Sequence, residues 1–133
     1  FGNIKYVEAA GEAAEGVIFP AGRLLIADTL TRSHPQKSVL SKYKNDYETK
    51  FKEDASTFGG HAYDAFIILM NAIEKAGTDK EAVRGAIENM KGVVGTGGVF
   101  NFSAEDHNGL DINAFEMLTV KNGKFVVLTD TKK

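Results

Sequence analysis

His61 and Asp64 stand three residues apart in STFGGHAYDAF, a spacing that brings both to one helix face as a hydrogen-bonded acid/base pair. Such a pair moves protons usefully only beside a nucleophile or a metal, and no nucleophile motif accompanies it; a hydrogen bond at the helix N-terminus is the plainer role. His34, His61 and His107 are far apart, and none has a second histidine or carboxylate at a compelling metal spacing. Asp106-His107-Asn108-Gly109 has a fragment of a calcium loop, but the spaced glutamate that must follow is missing, so the stretch reads as a turn built on Asx hydrogen bonds. Gly95-Thr96-Gly97-Gly98 has the glycines of a phosphate loop without the Lys-Ser/Thr, and a strand pattern follows it. No catalytic residue, metal or cofactor is therefore expected, and binding is favoured over chemistry. Phe58-Gly59-Gly60 sets an aromatic ring beside bare backbone at a helix start, an arrangement that can line a small-molecule cleft. On the residues alone, the preferred reading is that Phe58 plugs the end of the core.

The element that must position these groups is a helix over Ser56–Gly77. Ala62, Ala65, Phe66, Leu69, Ala72, Ile73 and Ala76 recur at three- and four-residue steps and predict its packed face, with Ile67, Ile68 and Met70 on the flanks and Gly77 as the cap. Before it, Asn3–Ala10 reads as a short helix and Glu15–Phe19 as a strand stopped by Pro20, with Leu24–Ala27 as a second extended piece. Ser33-His34-Pro35-Gln36 has a capping-box pattern that predicts a helix to about Glu53, with Val39, Leu40, Tyr43, Tyr47 and Phe51 facing inward. Thr78-Asp79-Lys80-Glu81 opens another, to about Met90. Val99–Phe102 alternates as a strand, and Phe115–Val120 and Phe125–Leu128 flank Asn122-Gly123 as a hairpin.

Length and composition bound the rest. A chain of 133 residues, 43% apolar and 26% charged, suits one globular domain. A net charge of −2 with interleaved signs, as on Lys37–Glu53, recommends no nucleic-acid partner or membrane surface. The apolar runs are too short to span a bilayer, and the absence of cysteine excludes disulfides and thiolate metal sites. With Phe1 first and no leader ahead of it, a processed or excised segment is expected.

Four stretches in order, AAGEAAEGVIFP (Ala9–Pro20), YETKFKEDASTFGGHAYDA (Tyr47–Ala65), GTGGVFNFSAEDHNGLD (Gly95–Asp111) and FEMLTVKNGKFVVL (Phe115–Leu128), resemble the C-terminal part of type I periplasmic binding proteins, specifically the leucine/isoleucine/valine-binding receptors of ABC importers. The resemblance covers nearly the whole chain. It implies an α/β fold: the closing part of a two-lobed receptor, with three main helices, short strands and a C-terminal β-hairpin. Residues 1–26 and 100–133 would belong to the second lobe and 28–99 to the first.

By the same resemblance Phe58 matches the aromatic that lines the ligand side-chain pocket, reversing the plug reading; Thr57 and Gly59 flank it as weaker ligand-binding candidates. The head-group contacts would lie upstream of Phe1. The implied protein is periplasmic or extracellular, takes a branched-chain or related amino acid, closes on it, and presents itself to a membrane permease. A receptor or sensor of the same fold, for amides, urea or aromatic acids, is the alternative, with signalling to a partner protein in place of import. An enzyme built on His61 and Asp64 ranks behind both. The 133-residue chain alone would hold parts of two cores and is expected to self-associate.

Overall fold

A computed structural model describes residues 2–129. Phe1 and residues 130–133, which the expected lobe division includes, lie outside the described residues. Helix α1 (Ile4–Ala10) starts where the Asn3 side chain accepts from the Lys5 N–H, and it buries Val7. Strand β1 (Ile18–Gly22) follows a 3-10 turn and pairs antiparallel with β4 (Phe115–Lys121), which pairs in turn with β5 (Lys124–Val127). The strand order β1-β4-β5 leaves β1 at an edge. An edge strand points alternate N–H groups away from its partner, so Pro20 sits inside β1 opposite Met117 instead of ending it. The Asn122-Gly123 turn joins β4 to β5 with φ of 51° and 69°, the left-handed pair that a two-residue hairpin needs. Both turn amides donate to the Glu15 carboxylate.

Arg23–Thr29 is a kinked 3-10 segment and not the extended piece that the sequence suggests. Its spacing explains the outcome. Leu24 and Ala27, three apart, pack on Leu40 and Tyr43, while Ile26 turns the other way onto Ala21 and Leu118. The segment thus serves two cores at once. Helix α2 (Lys37–Phe51) begins three residues later than the capping-box pattern predicts. Ser33–Gln36 is spent on turns instead, with Lys37 N–H donating to the His34 carbonyl and Gln36 N–H to His34 Nδ1. Leu40 and Tyr43 face inward as expected, but Phe51 at the frayed end is exposed.

Helix α3 (Thr57–Ala76) runs between the Ser56 cap and Gly77. Its buried face is Gly60, Asp64, Ile68 and Ala72, at four-residue steps. Of the face that the period predicts, Ala72 is buried and Ile73 and Ala76 are half-buried, but Ala62, Ala65, Phe66 and Leu69 are exposed, Phe66 by 60%. Two apolar faces compete over the first part of the helix, and among the described residues only the face of Gly60, Asp64 and Ile68 is covered. Ile68 and Ala72 are covered by α4 (Lys80–Glu88), capped by Asp79, together with Met90, Phe100 and Phe102. Strands β2 (Val93–Val94) and β3 (Val99–Phe100) form a short hairpin around the glycine-rich run. None of the described helices is long and apolar enough to cross a membrane.

Candidate functional site

The first turn of α3 is built by two glycines that have no room for a side chain. A Cβ on Gly59 would lie 2.5 Å from the Tyr43 hydroxyl, and one on Gly60 would lie 2.7 Å from Thr96 Oγ1. The glycine pair therefore lets α2 and the 95–98 run close against the helix start. Burial pushes the Tyr43 hydroxyl above its ordinary value, with Tyr47 and Asp64 adding to the shift. Tyr43 is further held between the rings of Tyr47 and Tyr63, at 5.9 and 5.1 Å.

With the inner side filled this way, Phe58 is turned outward and is 71% exposed. It does not plug the core. Thr57 Oγ1 lies 3.5 Å from the Gly2 carbonyl, which brings the start of the chain to the α3 N-terminus. Ser56 Oγ accepts from the Gly59 N–H at 3.4 Å. A cleft of about 820 Å³ opens at Ser56, between Asn3 and Lys5 on one side and Tyr47, Glu48, Lys52, Glu53 and Asp54 on the other; Thr57, Phe58 and Gly59 do not line it. Thr57, Phe58 and Gly59 are thus together at one helix end, but only Phe58 presents a large free surface there. No residue in this group is a nucleophile paired with a base.

Asp64 does not pair with His61. Its carboxylate, in a residue 4% exposed, accepts from the Thr96 N–H at 2.7 Å, the Gly97 N–H at 2.7 Å and Thr96 Oγ1 at 3.0 Å. Gln36, 2% exposed, donates from Nε2 to the carbonyls of Gly95 and Thr96 at 3.0 and 3.2 Å. The glycine-rich run is thus clasped from α2 and α3 at once. A Cβ on Gly95 would lie 2.7 Å from the Asp64 carboxyl carbon, so glycine is required there by close approach and not by a phosphate. His61 is exposed beside Gly97, and among the described residues its side chain makes no hydrogen bond, so the expected side-chain bond at the helix start is not formed either. The roles of Gln36 and Tyr43 were missed in the sequence. The glycines of the 95–98 run were the available signal, since a run of bare backbone asks what approaches it.

His107 Nε2 meets Glu88 Oε1 at 3.0 Å, and Arg84 Nε donates to the same oxygen at 2.8 Å. The Arg84 hydrogen bond is the main influence holding the Glu88 carboxyl below its ordinary value. Asp106 Oδ1 accepts from the Asn108 and Gly109 amides, so the 106–109 turn is the Asx turn expected. Among the described residues no group of three or more His, Cys, Asp or Glu side chains is arranged to hold a metal.

Residues 1–124 match the family model described as periplasmic binding protein. A search of curated proteins finds no match. Among solved structures, an extracellular ligand-binding receptor from Rhodopseudomonas palustris HaA2 is 33% identical with a TM-score of 0.86, over 96% of this chain and 38% of that one. A leucine-binding protein from Thermotoga maritima is 26% identical with a TM-score of 0.64, over 95% and 33%. A putative branched-chain amino acid ABC transporter protein from Rhodospirillum rubrum is 25% identical with a TM-score of 0.66, over 94% and 34%. The chain spans 38% of the length of the first of these, and its mixed α/β structure matches part of the type I periplasmic binding protein fold.

Proposed function

The chain belongs to the periplasmic binding protein family, and on that premise we propose that it is the closing part of a solute receptor for an ABC importer. Its ligand is a branched-chain or related amino acid, held in a cleft between two lobes and delivered to a membrane permease from the periplasm or cell exterior. The observation that carries this reading is the exposed Phe58 ring at the α3 N-terminus, next to the chain start that Thr57 contacts through the Gly2 carbonyl. An apolar ring of that size left outside the core at a helix N-terminus suits the side chain of an apolar ligand. Thr57 and Gly59 flank the same point. The binding residues named are of the kind that position a ligand; none performs chemistry, so the receptor works by closure.

The lobes follow the division that the resemblance implies, with residues 1–26 in the second lobe and the helices from Asp28 in the first. The return crossing, expected at residue 100, is drawn instead after Leu110, because Phe100 and Phe102 pack against Ile68, Ala72 and Met90 on the α3 side. The outward stripe of α3 is then the surface that the remainder of the first lobe covers.

The test is Phe58→Ala in a full-length receptor carrying this chain. Loss of the ring removes apolar contact worth about 1–3 kcal/mol, which calorimetry reads as roughly tenfold or more weaker binding, with circular dichroism unchanged. Unaltered affinity for every ligand bound would remove Phe58 from the site.

A further inference from the structure

Arg23 occupies the point where the chain leaves the sheet for the helices, and its guanidinium reaches the point where the chain comes back. Its side chain is 14% exposed. Nη1 donates to the Asn113 carbonyl at 2.5 Å, and Nη2 donates to the Phe115 carbonyl at 3.4 Å and to the Glu116 carboxylate at 3.1 Å. These partners lie 90 to 93 residues away in sequence. On the outgoing side Gly22 is the last residue of β1, and it pairs with Phe115, the first residue of β4. The two passages therefore run side by side.

What lies on either side of them are separate cores. The sheet and α1 gather around Val7, Ala14 and Val120, and around Ala21, Ile26 and Leu118. The helices gather around Ile68, Ala72, Met90, Phe100 and Phe102, and around Leu24, Ala27, Leu40 and Tyr43. Among the described residues the kinked 23–29 segment, with Leu30 directly after it, feeds both. Next to the guanidinium the seam is not filled by side chains: a cavity of about 270 Å³ is lined by Arg23, His34, Gln36, Asn101, Asp111 and Asn113, among others. Two sets of cores joined by two adjacent 3-10 passages, with a cavity at the joint, make a place where bending costs little packing.

We propose that Arg23 is a positioning residue that clamps the outgoing and returning passages together, so that they bend as one hinge. A planar fork reaching two carbonyls and a carboxylate fixes the passages in translation and in twist; a lysine ammonium keeps the charge without the fork. With the clamp intact, the two bodies swing about a single axis. Without it each passage twists independently and the bodies sample a wider range of relative orientations. Closure onto a ligand then starts from a broader set of open forms. The idea rests on the two-lobed reading, but its test requires no ligand, so it stands or falls apart from the question of what binds.

The chain has no cysteine, so spin labels can be placed cleanly. Exposed Glu12 on the sheet side and exposed Glu81 at the start of α4 are changed to cysteine, and the labelled 133-residue chain is diluted into unlabelled chain. Pulsed electron paramagnetic resonance gives the distance distribution between the labels. Arg23→Lys and Arg23→Gln are each expected to broaden it by about twofold, with helical circular dichroism unchanged. Glu116→Gln, which leaves both carbonyl contacts, is expected to broaden it little. Equal widths for the parent, Arg23→Lys and Arg23→Gln would overturn the clamp. So would loss of helical signal in both Arg23 variants, which would make Arg23 a residue required for folding.

Discussion

Removing the Asp64 carboxylate is the perturbation whose cost is best defined by the geometry. Three donors converge on it: the Thr96 and Gly97 amides, both at 2.7 Å, and the Thr96 hydroxyl at 3.0 Å. The residue is 4% exposed, so water is poorly placed to substitute. In Asp64→Ala the hydroxyl can turn to another acceptor, but the two amides cannot turn. Each buried N–H left without an acceptor costs about 1–3 kcal/mol, which sums to about 2–6 kcal/mol. With a urea slope of about 2 kcal/mol per molar, the unfolding midpoint should fall by about 1–3 M. Asp64→Asn is the sharper variant. One carboxylate oxygen becomes an NH2 group, and whichever way the amide turns, that group faces either the Thr96 N–H or the Gly97 N–H. Asparagine should therefore recover no more than about half of the loss, since only one of the two amides keeps an acceptor. Gly95→Ala offers a second reading of the same clasp, because the added Cβ would meet the Asp64 carboxyl carbon at 2.7 Å. It should cost about 1–3 kcal/mol in the parent chain and clearly less in the Asp64→Ala background. Urea titrations followed by far-UV circular dichroism, at one fixed protein concentration, measure all of these. Losses below about 0.5 kcal/mol in both Asp64 variants would refute the argument that this carboxylate holds the glycine run.

Two further outcomes are expected. The 133-residue chain should run above monomer mass in light scattering, because Phe66, Leu69 and Met70 of α3 are exposed together; Phe66→Glu with Leu69→Glu should shift it toward monomer, and a parent chain that is already monomeric would contradict this. Glu88 should titrate below ordinary glutamates by carboxyl NMR, chiefly through Arg84 and then through His107, so its contribution is present above the ordinary carboxylate range and is lost as pH falls through its lowered value; Arg84→Gln should raise that value, and no change would contradict the pairing.

The sequence was most legible where one local rule acted without competition. Asn122-Gly123 demands left-handed backbone, and the hairpin is where that demand puts it. Asp79 caps α4 inside the stretch read as a helix start. Legibility failed where tertiary partners decided between local options. Ser33-His34-Pro35-Gln36 has the letters of a helix cap, yet Gln36 is drawn into the core to reach the Gly95 and Thr96 carbonyls, and the helix starts after it. Leu24–Ala27 reads as extended because it is uniformly apolar, and it coils because one core claims Leu24 and Ala27, three apart, while another claims Leu25 and Ile26 between them. On α3 the period was visible but not the face, since helical spacing cannot say which of two apolar stripes finds a partner. The candidate site was legible in part: Phe58 stood out by type and place, whereas the close approach of Tyr43 to Gly59 depends on residues sixteen positions apart meeting across two helices.

A chain that contributes to a receptor closing two lobes on an amino-acid-like solute must, in the whole receptor, bind such a solute. The decisive experiment is calorimetric titration of a full-length receptor carrying this chain with leucine, isoleucine and valine. Micromolar or tighter binding of at least one of them is expected, and no comparable binding by the isolated 133-residue chain, because the proposed function puts the head-group contacts outside it. Binding of none of the three by the full-length receptor, or micromolar binding by the isolated chain, would contradict it.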